Sequence, residues 1–210
     1  MCASLLQHTK SDPFLEFEFY PALDGVMPST PKLCDAWLLT GSKYSVYEDH
    51  FWIKSLTDFI QSALTQNRKV IGVCFGHQLL AQTLGGEVMR DPKGPSIGCE
   101  TYNVAFHADG EPEQMSLHAW HFDQVTKQPP NTEIILTSSS CRYAGLRYGD
   151  NAISFQPHPE FSKSYMIALI KHYQYAGLNE AQVTTALQSL KTSASSARIK
   201  DYIHDFLFSP

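Results

Sequence analysis

The stretch Val70-Ile-Gly72-Val-Cys74-Phe-Gly76-His-Gln78 constrains this chain more than any other. Its apolar start, residues 70–73, reads as a buried strand. The strand breaks at Gly72-x-Cys74-x-Gly76 and gives way to a helix over residues 77–84. A strand, a sharp turn and a helix, with a nucleophilic side chain at the turn, form the layout of a nucleophile elbow, here with Cys in place of Ser. The turn lifts that side chain off the sheet. Glycines flank it because a Cβ there would strike the neighbouring strand or helix. The helix points the positive end of its dipole at Cys74, which favours a thiolate.

A nucleophilic cysteine needs a base for its proton and an orienter for that base. Phe155-Gln-Pro-His158-Pro-Glu160 supplies both types, with His158 as the base and Glu160 as the orienter. The two are two positions apart, so an extended backbone would send both side chains the same way. A short strand over residues 153–156 would deliver them to the sheet's C-terminal edge.

The rest of the chain reads as a single domain, residues 1–210, long enough for one sizeable core. Apolar residues make up 43% and charged residues 18%, ordinary for a globular protein. A net charge of −5 gives no basic footprint for nucleic acid. No window approaches the roughly 18 apolar residues of a membrane span, and the N-terminus lacks a signal-peptide layout. The five cysteines form no CxxC pair, which suits a reducing, cytoplasmic setting. No GxGxxG or Walker pattern is present, and no cofactor is expected. His118-x-x-His121 lacks an acidic or Cys partner at a zinc-site spacing, so no metal is expected either.

Period-two patterning predicts a strand over residues 14–20, and a second over residues 33–39 ends at Thr40-Gly41-Ser42. Residues 48–65 carry Phe51, Trp52, Leu56, Phe59, Ile60 and Ala63 on one helical face. Strands alternating with helices argue for a largely parallel sheet with helices on both faces. From residue 97 to about 148 the pattern changes, with strands at 99–106, 133–138 and 143–147 and no helix between them. Helices follow at 162–176 behind a Ser cap, at 180–190 behind Asn179, and at 199–208.

The two motifs, together with Ala36-Trp-Leu-Leu-Thr-Gly41-Ser42-Lys-Tyr-Ser-Val-Tyr47 and Ser116-Leu-His118-Ala-Trp-His121-Phe-Asp123-Gln-Val125, resemble the class I glutamine amidotransferases. The likeness is greatest to stand-alone, GMP-synthase-like members and covers roughly residues 15 to 208. It implies a flavodoxin-like three-layer α/β/α fold with a mostly parallel sheet and a small antiparallel extension. The family's sheet begins with a short strand and a helix. Here residues 1–8 resemble the tail of that helix, so the first strand is missing or shortened, and its expected slot is central, beside the nucleophile strand.

The resemblance also implies the chemistry. Cys74 would attack the γ-amide carbon of glutamine and form a γ-glutamyl thioester. His158 would move the protons, and Glu160 would hold its ring. The Phe75 N–H, next to the nucleophile at a helix start, would donate to the oxyanion. By resemblance the Gly41-Ser42 loop supplies the other donor, the Ser42 N–H. Many relatives have Gly-Gly there, so Ser fits only where φ is negative. Gln78 would bind the substrate amino acid, and His121 and Asp123 would border the pocket, with Asp123 near the α-ammonium. The partners implied are a small-molecule substrate and a synthase subunit that takes the ammonia. Two other readings stay open: a stand-alone γ-glutamyl peptide or amide hydrolase, and a non-catalytic binding protein on the same scaffold.

Overall fold

The computed structural model describes residues 5–6, 15–105, 113–174 and 177–208. The elements are β1 (Ala36–Leu39), α1 (Phe51–Thr65), β2 (Lys69–Val73), α2 (Phe75–Thr83), β3 (Glu87–Arg90), β4 (Ser96–Val104), β5 (Glu113–His121), β6 (Asp123–Lys127), β7 (Glu133–Thr137), β8 (Gly145–Tyr148), β9 (Ala152–Phe155), α3 (Lys163–Tyr173), α4 (Glu180–Ser189) and α5 (Ala197–Phe208). Seven strands form one sheet in the order β1-β2-β9-β8-β7-β4-β5, and β3 pairs with β6 apart from it.

Burial follows the pleat of β2. Ile71 and Val73 point to one face, where they pack with Leu5, Phe155, Ile199, Ile203 and Phe206, so α5 covers that side. Val70 points to the other, against Ile53 and Ile60 of α1 and Leu79 and Leu80 of α2. A third cluster, Met166, Ile170, Ala186 and Leu190, seats α3 and α4 against Ile97 and Trp120 of the β4–β5 hairpin. Local signals set the helix starts. The Ser162 side chain accepts from the Tyr165 N–H, and Asn179 forms a capping box with Gln182.

The three-layer α/β/α arrangement is present, but the sheet is more mixed than the sequence suggested. β1–β2 and β2–β9 are parallel, whereas β9–β8, β8–β7, β7–β4 and β4–β5 are antiparallel. β5 was not foreseen, because buried His118 and His121 interrupt its apolar pattern. The predicted strand over 14–20 does not form in its described part: residues 15–20 have no regular structure. Alternation alone cannot make a strand without a partner to bond, and Phe19 stays 77% exposed. The strand predicted over 33–39 starts at Ala36, after a 3-10 turn at Pro31–Leu33.

The expected slot of the first strand also needs correction. β2 lies between β1 and β9 and has both edges paired, so nothing is missing beside the nucleophile strand. Among the described residues the edges of the seven-stranded sheet without a partner strand are the outer ones of β1 and β5. Leu5 and Leu6 are helical, and Leu5 is buried against the β2 core.

Candidate active site

The parallel strands converge on one spot at their C-terminal ends, the usual place for a site in such a sheet. β1 leads into Gly41 and Ser42, β2 into Cys74, and β9 into His158. Cys74 is the N-cap of α2, with φ 52° and ψ −107°. Positive φ at a residue with a side chain is strained, and such strain persists only where the surroundings fix it. Here the Cys74 N–H donates to the Phe155 carbonyl at 2.8 Å. Gly76 lets α2 sit down on β1, since a Cβ there would lie 2.3 Å from the Leu39 carbonyl oxygen. A Cβ on Gly72 would lie 2.6 Å from the Gly76 oxygen. Both glycines are therefore set by close approach of backbones.

His158 and Glu160 form a buried pair, Nδ1 to Oε1 at 2.7 Å, each side chain 4% exposed. They meet across a turn, not along an extended strand: β9 ends at Phe155, and the Phe161 N–H closes the turn on the His158 carbonyl at 3.3 Å. The backbone N–H of His158 donates to the His118 carbonyl at 2.8 Å, which ties His158 to β5. The Phe161 ring stacks on the imidazole at 3.9 Å between centroids. Burial acts to lower the His158 pKa, but the charge of Cys74 beside it and hydrogen bonds to Cys74 and Glu160 outweigh that and hold it at about 10. His158 Nε2 is buried, and apart from the Cys74 sulfur it has no hydrogen-bond partner among the described residues, which places its proton beside that sulfur.

Gly41 closes the spot from the β1 side. A Cβ there would lie 3.2 Å from His158 Cε1 and 3.7 Å from Cys74 Cβ. Ser42 is exposed and is not among the residues of positive φ, so a side chain costs nothing in backbone strain. Phe75 opens α2, where first-turn N–H groups have no intrahelical acceptor. Gln78 is buried and donates from Nε2 to the Asp123 carbonyl at 2.8 Å and to Gln156 Oε1 at 3.0 Å. His121 Nδ1 also bonds the Asp123 carbonyl, at 3.0 Å. Burial, more than any neighbouring charge, pushes the His121 pKa down to about 4, so the ring is neutral. The Asp123 carboxylate accepts from the Ser45 hydroxyl and, at 3.1 Å, from the Tyr47 hydroxyl. The structure thus gathers Gly41, Cys74 and His158–Glu160 at one point. Gln78 of α2 and His121 of β5 are joined through the Asp123 carbonyl.

The family model for glutamine amidotransferase class-I matches residues 27–171. The chain belongs to this family. Gamma-glutamyl peptidase 4 of Arabidopsis thaliana is 27% identical over 165 residues, covering 74% of this chain and 66% of that protein. The chain therefore spans about two thirds of the length of that relative. One subunit of the glutamine-hydrolyzing GMP synthase of Sulfolobus acidocaldarius is 32% identical over 133 residues, 60% of this chain and 67% of that one. The crystal structure of a glutamine amidotransferase from Methylobacillus flagellatus superposes with a TM-score of 0.70 at 25% identity, covering 87% of this chain and 78% of that one.

Several parts of this class I domain were not legible beforehand. His77 Nδ1 pairs with Ser154 Oγ at 2.7 Å, and Tyr148 reaches the same hydroxyl at 3.2 Å, fastening α2 to β9 and β8 behind the elbow. Burial first, and the charge of His121 second, push the His77 pKa down to about 3, so this ring is a neutral strut. The contacts of Ser45 and Tyr47 with Asp123 could not be read either, because they span more than seventy positions. The only available signal was the pair of hydroxyl residues just after Gly41-Ser42. Among the described residues, no group of three His, Cys, Asp or Glu side chains is placed to hold a metal. His118 and His121 are three apart on one strand and face opposite ways.

Proposed function

We propose that this class I domain hydrolyses the γ-amide bond of a γ-glutamyl compound, with Cys74 as nucleophile, His158 as general acid and base, and Glu160 as its orienter. The observation that carries this reading is the strained Cys74, at the N-terminus of α2, beside a buried His158–Glu160 pair that holds the imidazole charged. The Cys74 thiolate attacks the γ-carbonyl. The oxyanion is met by the Phe75 N–H and the Ser42 N–H. His158 gives its proton to the departing nitrogen, the C–N bond breaks, and a γ-glutamyl thioester remains. Water, deprotonated by His158, then releases glutamate and restores the thiol pair.

The substrate's α-amino end would lie toward Asp123, whose carboxylate is held in place by Ser45 and Tyr47. Gln78 has both amide N–H groups committed, which leaves its carbonyl oxygen for the substrate's amino group. Gly41 leaves room for the acyl carbon, and His121 borders the pocket. A compartment that keeps cysteines reduced suits this chemistry; Cys34, Cys74, Cys99 and Cys141 are all free thiols, and we place the protein in the cytoplasm. No helix among the described residues is long and apolar enough to cross a membrane.

Two substrates fit the same machinery. Similarity to a GMP synthase component favours glutamine, with ammonia passed to a synthase partner. Similarity to gamma-glutamyl peptidases favours a γ-glutamyl peptide, cleaved without a partner. The experiment is glutamate release from glutamine and from a panel of γ-glutamyl peptides, with Cys74→Ala in parallel. Cys74-dependent release is expected. Release that survives Cys74→Ala would overturn the mechanism, and no release from any substrate would favour a non-catalytic binding role.

A further inference from the structure

The Ser42 oxyanion donor sits on a segment that does not hold itself in place. β1 ends at Leu39, and the chain next returns to the core at Val46, which is 2% exposed. Among the described residues, no backbone N–H of Gly41, Ser42 or Lys43 donates a hydrogen bond. The Ser42 N–H is therefore available to an oxyanion, but nothing within those three residues aims it. A donor stabilises a tetrahedral intermediate only where it stands at hydrogen-bond distance from the oxyanion. Burial of Val46 fixes the return of the chain, but the hydrophobic effect has no direction of its own. The direction must come from hydrogen bonds further along the loop.

Ser45 supplies the strongest of these. Its hydroxyl donates to Asp123 Oδ2, and a bond to a carboxylate is about twice as strong as one between neutral groups. Asp123 is itself buried, and its carbonyl takes Gln78 Nε2 of α2 and His121 Nδ1 of β5, so Ser45 is fastened to a fixed point. From the other side the Ser45 N–H donates to Glu48 Oε1 at 2.6 Å, and its carbonyl accepts from the Glu48 N–H at 3.1 Å. Gln82 of α2 donates to the Val46 carbonyl at 3.2 Å. Back toward Ser42, the Ser42 hydroxyl accepts from the Tyr44 N–H at 3.3 Å. The Tyr44 ring meets Trp52, and Trp52 meets Phe75, the residue of the other oxyanion donor. Ser42 and Ser45 are three positions apart, at most about 10 Å of chain, so a shift at one moves the other.

We propose that Ser45 is a positioning residue for the oxyanion: its hydroxyl, fastened to Asp123, sets where the Ser42 N–H stands relative to Cys74. Tyr47 binds the other oxygen of the same carboxylate and orients it for the substrate's amino group. A carboxylate has about four lone-pair sites, so two hydroxyls leave room for an ammonium. One side chain then serves both ends of the acyl group. Asp123 meets the amino end directly, and through Ser45 it places the donor for the γ-carbonyl oxygen. The proposal rests on the reading of the chain as a Cys74-dependent amide hydrolase and adds the residue that joins those two ends.

The test is steady-state kinetics of Ser45→Ala on glutamine and on γ-glutamyl p-nitroanilide, with amide exchange followed over residues 42–50. Ser45→Ala is expected to lower kcat by about tenfold or more, part of the roughly 100- to 1,000-fold lost with a whole oxyanion donor, and to leave KM within about twofold. Ser45→Thr keeps the hydroxyl and should recover most of kcat. In a cycle with Asp123→Ala the two kcat losses should not multiply, because both break one tie. Exchange at Tyr44, Ser45 and Glu48 should quicken in Ser45→Ala. Calorimetry of glutamine against Cys74→Ala, with and without Ser45→Ala, should give one affinity, since ground-state binding does not use the oxyanion donor. Cys74-dependent turnover with kcat unchanged in Ser45→Ala would overturn the proposal and leave the hydrolase reading standing. A loss confined to KM would overturn it too, by making Ser45 part of the amino-group site. Absence of turnover in the wild-type protein would instead fail the hydrolase reading itself, and the role of Ser45 with it.

Discussion

The parallel and antiparallel halves of the sheet contribute different things. The parallel half, β1-β2-β9, places the groups of the proposed chemistry: Gly41, Cys74 and His158 all follow its strand ends. The antiparallel half, β8-β7-β4-β5, places supports. From β5 come the His118 carbonyl that anchors His158 and the Trp120 carbonyl 3.8 Å from the Cys74 sulfur, and the β5–β6 corner brings the Asp123 carbonyl. The first half works through backbone strain and close approach of glycines. The second works through hydrogen bonds between residues far apart in sequence. Damage to the first should therefore remove chemistry, and damage to the second should weaken binding or orientation.

The largest effect should come from Cys74→Ala. Turnover should fall by on the order of 10⁴-fold or more, with the circular dichroism of the native fold retained. Next, His158→Ala should cost more than Glu160→Gln, because the amide still holds the ring in place but no longer favours its charge; steady-state kinetics separates them. Gly41→Ala should lower kcat by less than the roughly 100-fold of a 1 Å misplacement, since its Cβ would lie 3.2 Å from His158 Cε1 and the ring need give by only a few tenths of an ångström. The smallest effect should be that of Tyr47→Phe. It removes one bond to Asp123 and should raise KM a few-fold, on the order of 1 kcal/mol, with kcat little changed.

The charged pair also predicts a pH response with a definite sign. Burial works against protonation of His158, but Cys74 and Glu160 raise its pKa to about 10, above the unfolded value near 6.5. A raised pKa means the folded state binds the proton more tightly. The stability this contributes is fully present below about pH 6.5 and is lost as pH rises through about 10. In Cys74→Ala the contribution of the sulfur disappears, so the ring should titrate at lower pH. NMR titration of His158 in the two proteins checks this; an unchanged midpoint would separate Cys74 from the base.

The same contrast explains what the sequence disclosed. The elbow was legible because its signals are local: an apolar run, two glycines at fixed offsets, and a helix start. His158 and Glu160 were legible as a pair for the same reason, although they meet through a turn and not an extended strand. β5 was obscured by its buried histidines, whose partners are a carbonyl on the loop after β9 and one at the β5–β6 corner. Residues 15–20 misled in the opposite way, carrying strand periodicity without a strand to pair with. The slot of the first strand was misplaced because strand order is a property of the assembled sheet; β9, from late in the chain, takes the edge of β2 that β1 leaves open.

The most direct test of the central claim is mass spectrometry of the protein quenched during turnover of a γ-glutamyl peptide. The expected result is a γ-glutamyl adduct on the peptide containing Cys74, absent in Cys74→Ala and lost on incubation at neutral pH as water attacks the thioester. Steady glutamate release with no adduct at Cys74, and with activity retained in Cys74→Ala, would contradict it.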